Sequence, residues 1–261
     1  MTLAFGVTLL GLGMVGAFVA GLLGAGGAFV MIPLLLYVPP FLEVGQLDVK
    51  AVSGVTMTQV LVAASVGMLA HRRHGAVNAA LVRVGALTMA TGSFVGAFAS
   101  KQVNEHGLLL VFALMVTLAG ALVFVGAGRD AIREDAAAVT FSRIRVGVIA
   151  GVVGLAAGLV GAGGGFLLVP LLLVVADIPI RVTIGSSLAI LALAAIAGFV
   201  GKLVTGQIPL APTLAVVAGA IPGAQLGAAV SRRLPPLGLR IALFVFLALT
   251  AIKVWADLPS R

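Results

Sequence analysis

Residues 21–38 read GLLGAGGAFVMIPLLLYV, and residues 158–175 read GLVGAGGGFLLVPLLLVV. Each stretch sets a cluster of glycines between two apolar runs. A glycine inside a helix costs ~1 kcal/mol relative to alanine, so a cluster of them interrupts the helix on either side. The apolar blocks that hold the two stretches extend over residues 3–38 and 146–175. A straight helix over either whole block would overshoot a hydrocarbon core of ~30 Å. Each block is therefore a broken crossing or a hairpin that turns back within the membrane.

The composition requires a membrane. The chain has 261 residues, 61% hydrophobic and 9% charged, with mean hydropathy +1.25. Soluble domains carry about 25% charged residues, and this chain cannot cover a water-facing surface. Beyond the two glycine-bearing blocks, apolar runs recur at 52–70, 79–99, 107–127, 183–201, 210–230 and 238–255. They leave no stretch for a soluble domain. They are apolar all round, whereas barrel strands alternate, so the fold is all-α: a polytopic integral membrane protein. The 35 glycines suit close helix packing, because apolar burial gives helices no reason to associate in lipid. The first twenty residues lack the basic stretch of a secretory signal and read as mature membrane segment.

The net charge of +8 does not point to nucleic acid, since no basic stripe alternates with stacking aromatics. Basic loops on the cytoplasmic side explain it. With no cysteine there is no disulfide, thiolate metal site or sulfur redox chemistry.

The chain is an internal repeat. GLLGAGGAFVMIPLLL aligns with GLVGAGGGFLLVPLLL at an offset of 137 residues. VKAVSGVTM aligns with IRVTIGSSL, and GSFVGAFASKQV with GAQLGAAVSRRL, both at an offset of 131. The expected organisation is a first membrane repeat over 1–128, a polar linker over 129–145 and a second membrane repeat over 146–261. If each glycine-bearing block crosses once, the halves are parallel and 10 of 16 basic residues share one side. If each is a hairpin, the halves are inverted. Arg72, Arg73, Arg83, Arg129, Arg133, Arg143, Arg145, Arg181, Arg232, Arg233 and Arg240 then share one side, 11 of 16, and the four lysines lie on the other with Arg261. The inverted arrangement, a recurrent transporter design, is the expectation.

Candidate binding residues follow from the breaks. Interrupted helix in a membrane survives only where it lines a cavity or is buried in protein. The N-terminus of the following half-helix points N–H groups and a positive dipole end at that cavity, which suits an anion. These positions are Gly24, Ala25, Gly26 and Gly27, and Gly161, Ala162, Gly163, Gly164 and Gly165. The alternative is that the glycines only let helices pack closely. A dinucleotide or phosphate-loop reading fails, because neither copy has the fingerprint or its strand–turn–helix context. Small polar residues add candidates in Ser53, Thr56, Gln59, Ser186, Ser187 and Gln225. Such groups can donate to an oxyanion, or can serve helix–helix hydrogen bonding. Arg83, with Arg72 and Arg73 of the HRRH stretch at 71–74, would form an anion-attracting vestibule, or would snorkel and anchor the protein at the interface. No buried carboxylate chain, HExxH or GxSxG occurs, so no enzymatic activity, metal or cofactor is expected.

The duplicated glycine–proline stretch, GSSL at 185–188 and GQIP at 206–209 resemble the TauE/SafE sulfite-exporter family, also called the toluene-sulfonate uptake permeases. The resemblance covers nearly the whole chain. It implies a multi-pass bacterial inner-membrane permease, with the lipid bilayer and a small sulfur-containing anion such as sulfite or an organosulfonate as its partners. Export is the usual direction, by alternating access of the two repeats. The family's glycine motif falls on residues 24–27 and 161–165, with Ala28 standing where the second copy has Gly165. The rival readings are a transporter of an unrelated small solute and a membrane assembly subunit that moves nothing.

Overall fold

The computed structural model describes residues 2–23, 26–71, 77–125, 140–231 and 236–258. Among these residues there are ten α-helices and no strand. In chain order they are α1 (Leu3–Leu23), α2 (Ala28–Phe41), α3 (Val49–His71), α4 (Ala79–Ala99), α5 (Glu105–Val125), α6 (Arg143–Val160), α7 (Gly165–Val174), α8 (Ile180–Val204), α9 (Leu210–Ser231) and α10 (Pro236–Asp257). Seven of them, α1, α3, α4, α5, α6, α8 and α9, are long and apolar enough to cross a membrane. Large apolar side chains also lie outward, among them Val7 and Leu10 on α1, Val148 and Val152 on α6, and Leu214 and Ile221 on α9. An apolar exterior is what lipid requires. The protein is an all-α polytopic membrane protein.

Both glycine clusters break the helix. Gly26 and Gly27 have φ of 81° and 67°, and Gly161, Gly163 and Gly164 have φ of 77°, 64° and 73°. This left-handed region is closed to most side chains by contact between Cβ and the following carbonyl. Gly27 and Gly164 are the N-caps of α2 and α7, and neither has a side chain to cap with. Pro33 and Pro170 sit in the second turn of these short helices. Proline has no N–H to offer the carbonyl four residues back. In the first half that carbonyl is Phe29's, and it accepts from Thr250 Oγ1 of α10 at 3.2 Å.

After each break the chain returns. Gly27 lies against Gly16 and Ala20 of α1, Met31 against Gly16, and beyond α2 Gly45 packs on the ring of Phe5 near the start of α1. Likewise Gly164 lies against Val153 and Ala157 of α6, and the Arg145 guanidinium near the start of α6 donates to the carbonyl of Val175, the residue after α7, at 3.2 Å. Each glycine-bearing block is thus a helical hairpin with one long and one short arm.

The long arms pack in parallel against helices of the opposite half. Gly219, Gly223 and Gly227 of α9 rest on the carbonyls of Leu10, Met14 and Phe18 of α1. Gly92 and Gly96 of α4 rest on those of Gly151 and Leu155 of α6. The two sets match under the sequence offsets: Gly92 aligns with Gly223, and Gly151 with Met14. Close backbone approach of this kind is the packing that small residues permit in lipid.

One boundary differs from expectation. α6 opens at Arg143, inside the stretch read as linker, because Ser142 Oγ accepts from the Arg145 amide at 3.3 Å and caps it. Residues 129–139 of that linker lie outside the described residues.

Candidate functional site

The two hairpin turns meet on α3 and α8. A side chain at Gly163 would collide with Val60 of α3, and one at Gly26 would press on Leu191 of α8 at 3.1 Å and reach Val60 at 3.8 Å. Val60 and Leu191 are equivalent positions of the repeat, 131 residues apart. Above the turns the rings of Phe29 and Phe166, equivalent at the offset of 137, touch with centroids 5.6 Å apart. The glycines therefore lie where the two halves face one another.

The start of α7 carries free donors. The amides of Leu167 and Leu168 bond to the Gly164 carbonyl, and the Gly164 amide to that of Ala162. The amides of Gly165 and Phe166 have no acceptor among the described residues. Residues 161–166 are all buried. Helix N-terminal amides of this kind suit an anion. Gly24 and Ala25, half of the first motif, lie outside the described residues.

The polar candidates divide by partner. Ser186 Oγ accepts from the Asn78 amide at 3.1 Å and tethers α8 to the start of α4. Ser187 Oγ donates to the Thr183 carbonyl one turn back, a local bond. Ser53 Oγ reaches the Leu159 carbonyl at 3.5 Å. Thr56 and Gln59 are different. Both are fully buried, and Thr56 Oγ1, Gln59 Oε1 and Gln59 Nε2 have no hydrogen-bond partner among the described residues. A buried polar group left unmet costs ~1–3 kcal/mol. Thr56 lies one turn before Val60 on the same side of α3, and Gln59 immediately precedes it, so the unmet atoms belong to the stretch that the glycine turns pack against. Gln225 does not join this group; it is exposed on α9 beside Leu226.

Of the expected vestibule, Arg83 is exposed on α4, and Arg72 and Arg73 lie outside the described residues. An open depression of about 500 Å³ does lie at that end of the bundle, lined by Asn78, Thr140, Phe141 and Arg143 among others. Among the described residues, no group of three or more His, Asp or Glu side chains is placed to hold a metal.

One residue escaped the sequence reading. Lys202 is fully buried, although the apolar run ends at residue 201 and the sequence places the lysine with the charges of a membrane face. Its ammonium donates to Ser100 Oγ at 2.7 Å, to the Leu159 carbonyl at 3.1 Å and to Gln207 Oε1 at 3.1 Å. Two signals could have revealed it. α8 continues apolar past it as LV, and the offset of 131 sets it opposite His71 at the end of α3.

Comparison with known proteins agrees with this architecture. The profile of the family described as Sulfite exporter TauE/SafE matches residues 9–254. A probable membrane transporter protein of Xylella fastidiosa (strain Temecula1) is 32% identical over 72% of this chain and 70% of its own length. The probable membrane transporter protein YunE of Bacillus subtilis is 28% identical over 87% of this chain and 89% of its own. A probable membrane transporter protein of Haemophilus influenzae is 27% identical over 93% and 95%. No solved structure matches the chain. These are transporters rather than enzymes, and a profile match from residue 9 to residue 254 spans both hairpins: the chain belongs to the TauE/SafE sulfite exporter family.

Proposed function

We propose that this protein is a permease of the bacterial inner membrane that moves a small sulfur-containing anion, such as sulfite or an organosulfonate, outward by alternating access of its two halves. The observation that carries the reading is the pair of unmet, fully buried side chains Thr56 and Gln59 on the stretch of α3 against which both glycine turns pack. A hydroxyl, an amide and the free N–H groups opening α7 together offer an oxyanion hydrogen bonds from several directions without a fixed charge. The family profile supports the sulfur-anion class.

The same reading takes the halves as inverted. Each hairpin returns to the end from which it started, and three further helices follow in each half, so the second hairpin enters from the opposite face. The end of the bundle with Phe5, Gly45, Lys50, Ser100 and Lys202 is then the outer face, and the end with Asn78, Arg145 and Val175 the inner one. That assignment follows the excess of basic residues on cytoplasmic loops. Rocking of one half against the other about Val60, Leu191, Phe29 and Phe166 would expose the site to each face in turn.

Purified protein in liposomes loaded with sulfite, methanesulfonate or a longer sulfonate is the test. The expected result is protein-dependent efflux of at least one of them. Folded protein that moves none of the panel overturns the proposal.

A further inference from the structure

We propose that Lys202 is a second anion-binding station on the permeation path, set between the outer face and the glycine turns. This rests on the reading of the substrate as an anion. Lys202 is fully buried near the end of α8, and among the described residues no carboxylate lies within ion-pair distance of it. Its three partners, Ser100 Oγ, Gln207 Oε1 and the Leu159 carbonyl, are all neutral. A second lysine, Lys50, lies at this end of the bundle and donates to the carbonyl of Lys101, the residue after Ser100, at 2.9 Å. The locus thus holds lysine and hydrogen-bond donors with no carboxylate among the described residues beside them. A buried charge is retained against its desolvation cost only where it is paired or functional. The missing partner is an anion.

The surroundings fit an oxyanion. Ser100 and Gln207 each carry N–H or O–H donors besides the oxygens they present to Lys202: Ser100 Oγ donates to the Ala97 carbonyl at 2.6 Å, and Gln207 Nε2 to Thr205 Oγ1 at 2.7 Å. An arriving anion would exchange weak bonds to neutral oxygens for charge-assisted ones. The station also leads inward. The Leu159 carbonyl that accepts from Lys202 accepts from Ser53 as well, and a side chain at Gly161 would strike Ser53. Ser53 is one turn before Thr56, and Thr56 one turn before Gln59 and Val60. Donors thus run along one side of α3 from the buried ammonium to the glycine turns.

A purely structural lysine would serve only to staple α4, α6 and α8, and a neutral donor would do as well. Lys202→Gln keeps a donor and removes the charge; Lys202→Met removes both; Lys202→Arg keeps the charge. In liposomes and in detergent melts with methanesulfonate, the two neutral variants are expected to raise the half-saturating concentration about tenfold or more, and Lys202→Arg to stay much closer to the native protein. Folded Lys202→Gln with native half-saturation overturns the proposal. Should the neutral variants fail to fold, the native protein carries the test. It should be stabilised by methanesulfonate and not by dimethyl sulfone, its uncharged counterpart; equal stabilisation by both overturns the station. A native protein that neither moves nor binds any sulfur anion overturns the proposed function itself and needs no substitution, so the two failures are told apart.

Discussion

Phe29 and Phe166 stand in equivalent places on α2 and α7 and meet ring to ring, 5.6 Å between centroids and tilted by 49°. Both are fully buried, each two residues after its hairpin's last left-handed glycine. Aromatic pairs in this tilted geometry contribute ~0.5–1.5 kcal/mol beyond the area they bury. Because the two short helices touch here, the pair couples the hairpins. A double-mutant cycle with Phe29→Leu and Phe166→Leu, read from thermal unfolding in detergent, should return a coupling energy in that range. Additive effects would mean that the two hairpins are held independently.

Gly27 and Gly164, the N-caps of the two short helices, are among the left-handed positions that favour glycine, at φ of 67° and 73°. Alanine there costs ~1–2 kcal/mol from backbone alone. Its methyl would also meet Ala20 at 2.6 Å in the first hairpin and Val153 at 2.8 Å in the second. Larger changes at the neighbouring site, Gly163→Leu, drive a side chain into Val60. The expected outcome is membrane insertion at native levels with transport reduced at least about tenfold. Native transport by Gly163→Leu would make the turn a packing feature and no part of the path.

Thr56 and Gln59 should show stability and function pulling apart. Removing a buried polar atom that has no partner relieves its desolvation cost, ~1–3 kcal/mol. Thr56→Val and Gln59→Leu are therefore expected to melt at or above the native temperature while transport falls about tenfold or more. Loss of stability together with transport would show that these side chains hold the fold.

The broad architecture was legible because lipid imposes it. The apolar blocks gave the helices to within a few residues, with 79–99 matching α4 at both ends. The glycine clusters gave the breaks, since a left-handed backbone is written directly in the residue type. The polar site was only half legible. Ser53, Thr56, Gln59, Ser186 and Ser187 read alike in sequence, all small or neutral polar residues in apolar helices. They differ only in whether a carbonyl or amide happens to lie within reach, and that is a property of neighbouring helices. Gln225 shows the same limit, because a nearly uniform apolar helix gives no periodicity to tell its lipid face from its core face. Lys202 was missed for the opposite reason: a charge near a helix end reads as an interface anchor, and its burial depends on Ser100 and Gln207 from other segments.

The orientation of the halves has a direct test at Glu43 and Asp177. They follow α2 and α7, and among the described residues they are the two non-glycine positions with positive φ, at 56° and 54°, so they close the two hairpins in the same local way. In a parallel repeat they would lie on the same side of the membrane, whereas inverted halves place them on opposite sides. The chain has no native cysteine, so Glu43→Cys and Asp177→Cys each carry a single thiol. In intact cells a membrane-impermeant maleimide is expected to label residue 43 and to spare residue 177 until the membrane is opened. Labelling of both from outside, or of neither, would establish parallel halves and remove the inverted two-faced path on which alternating access depends.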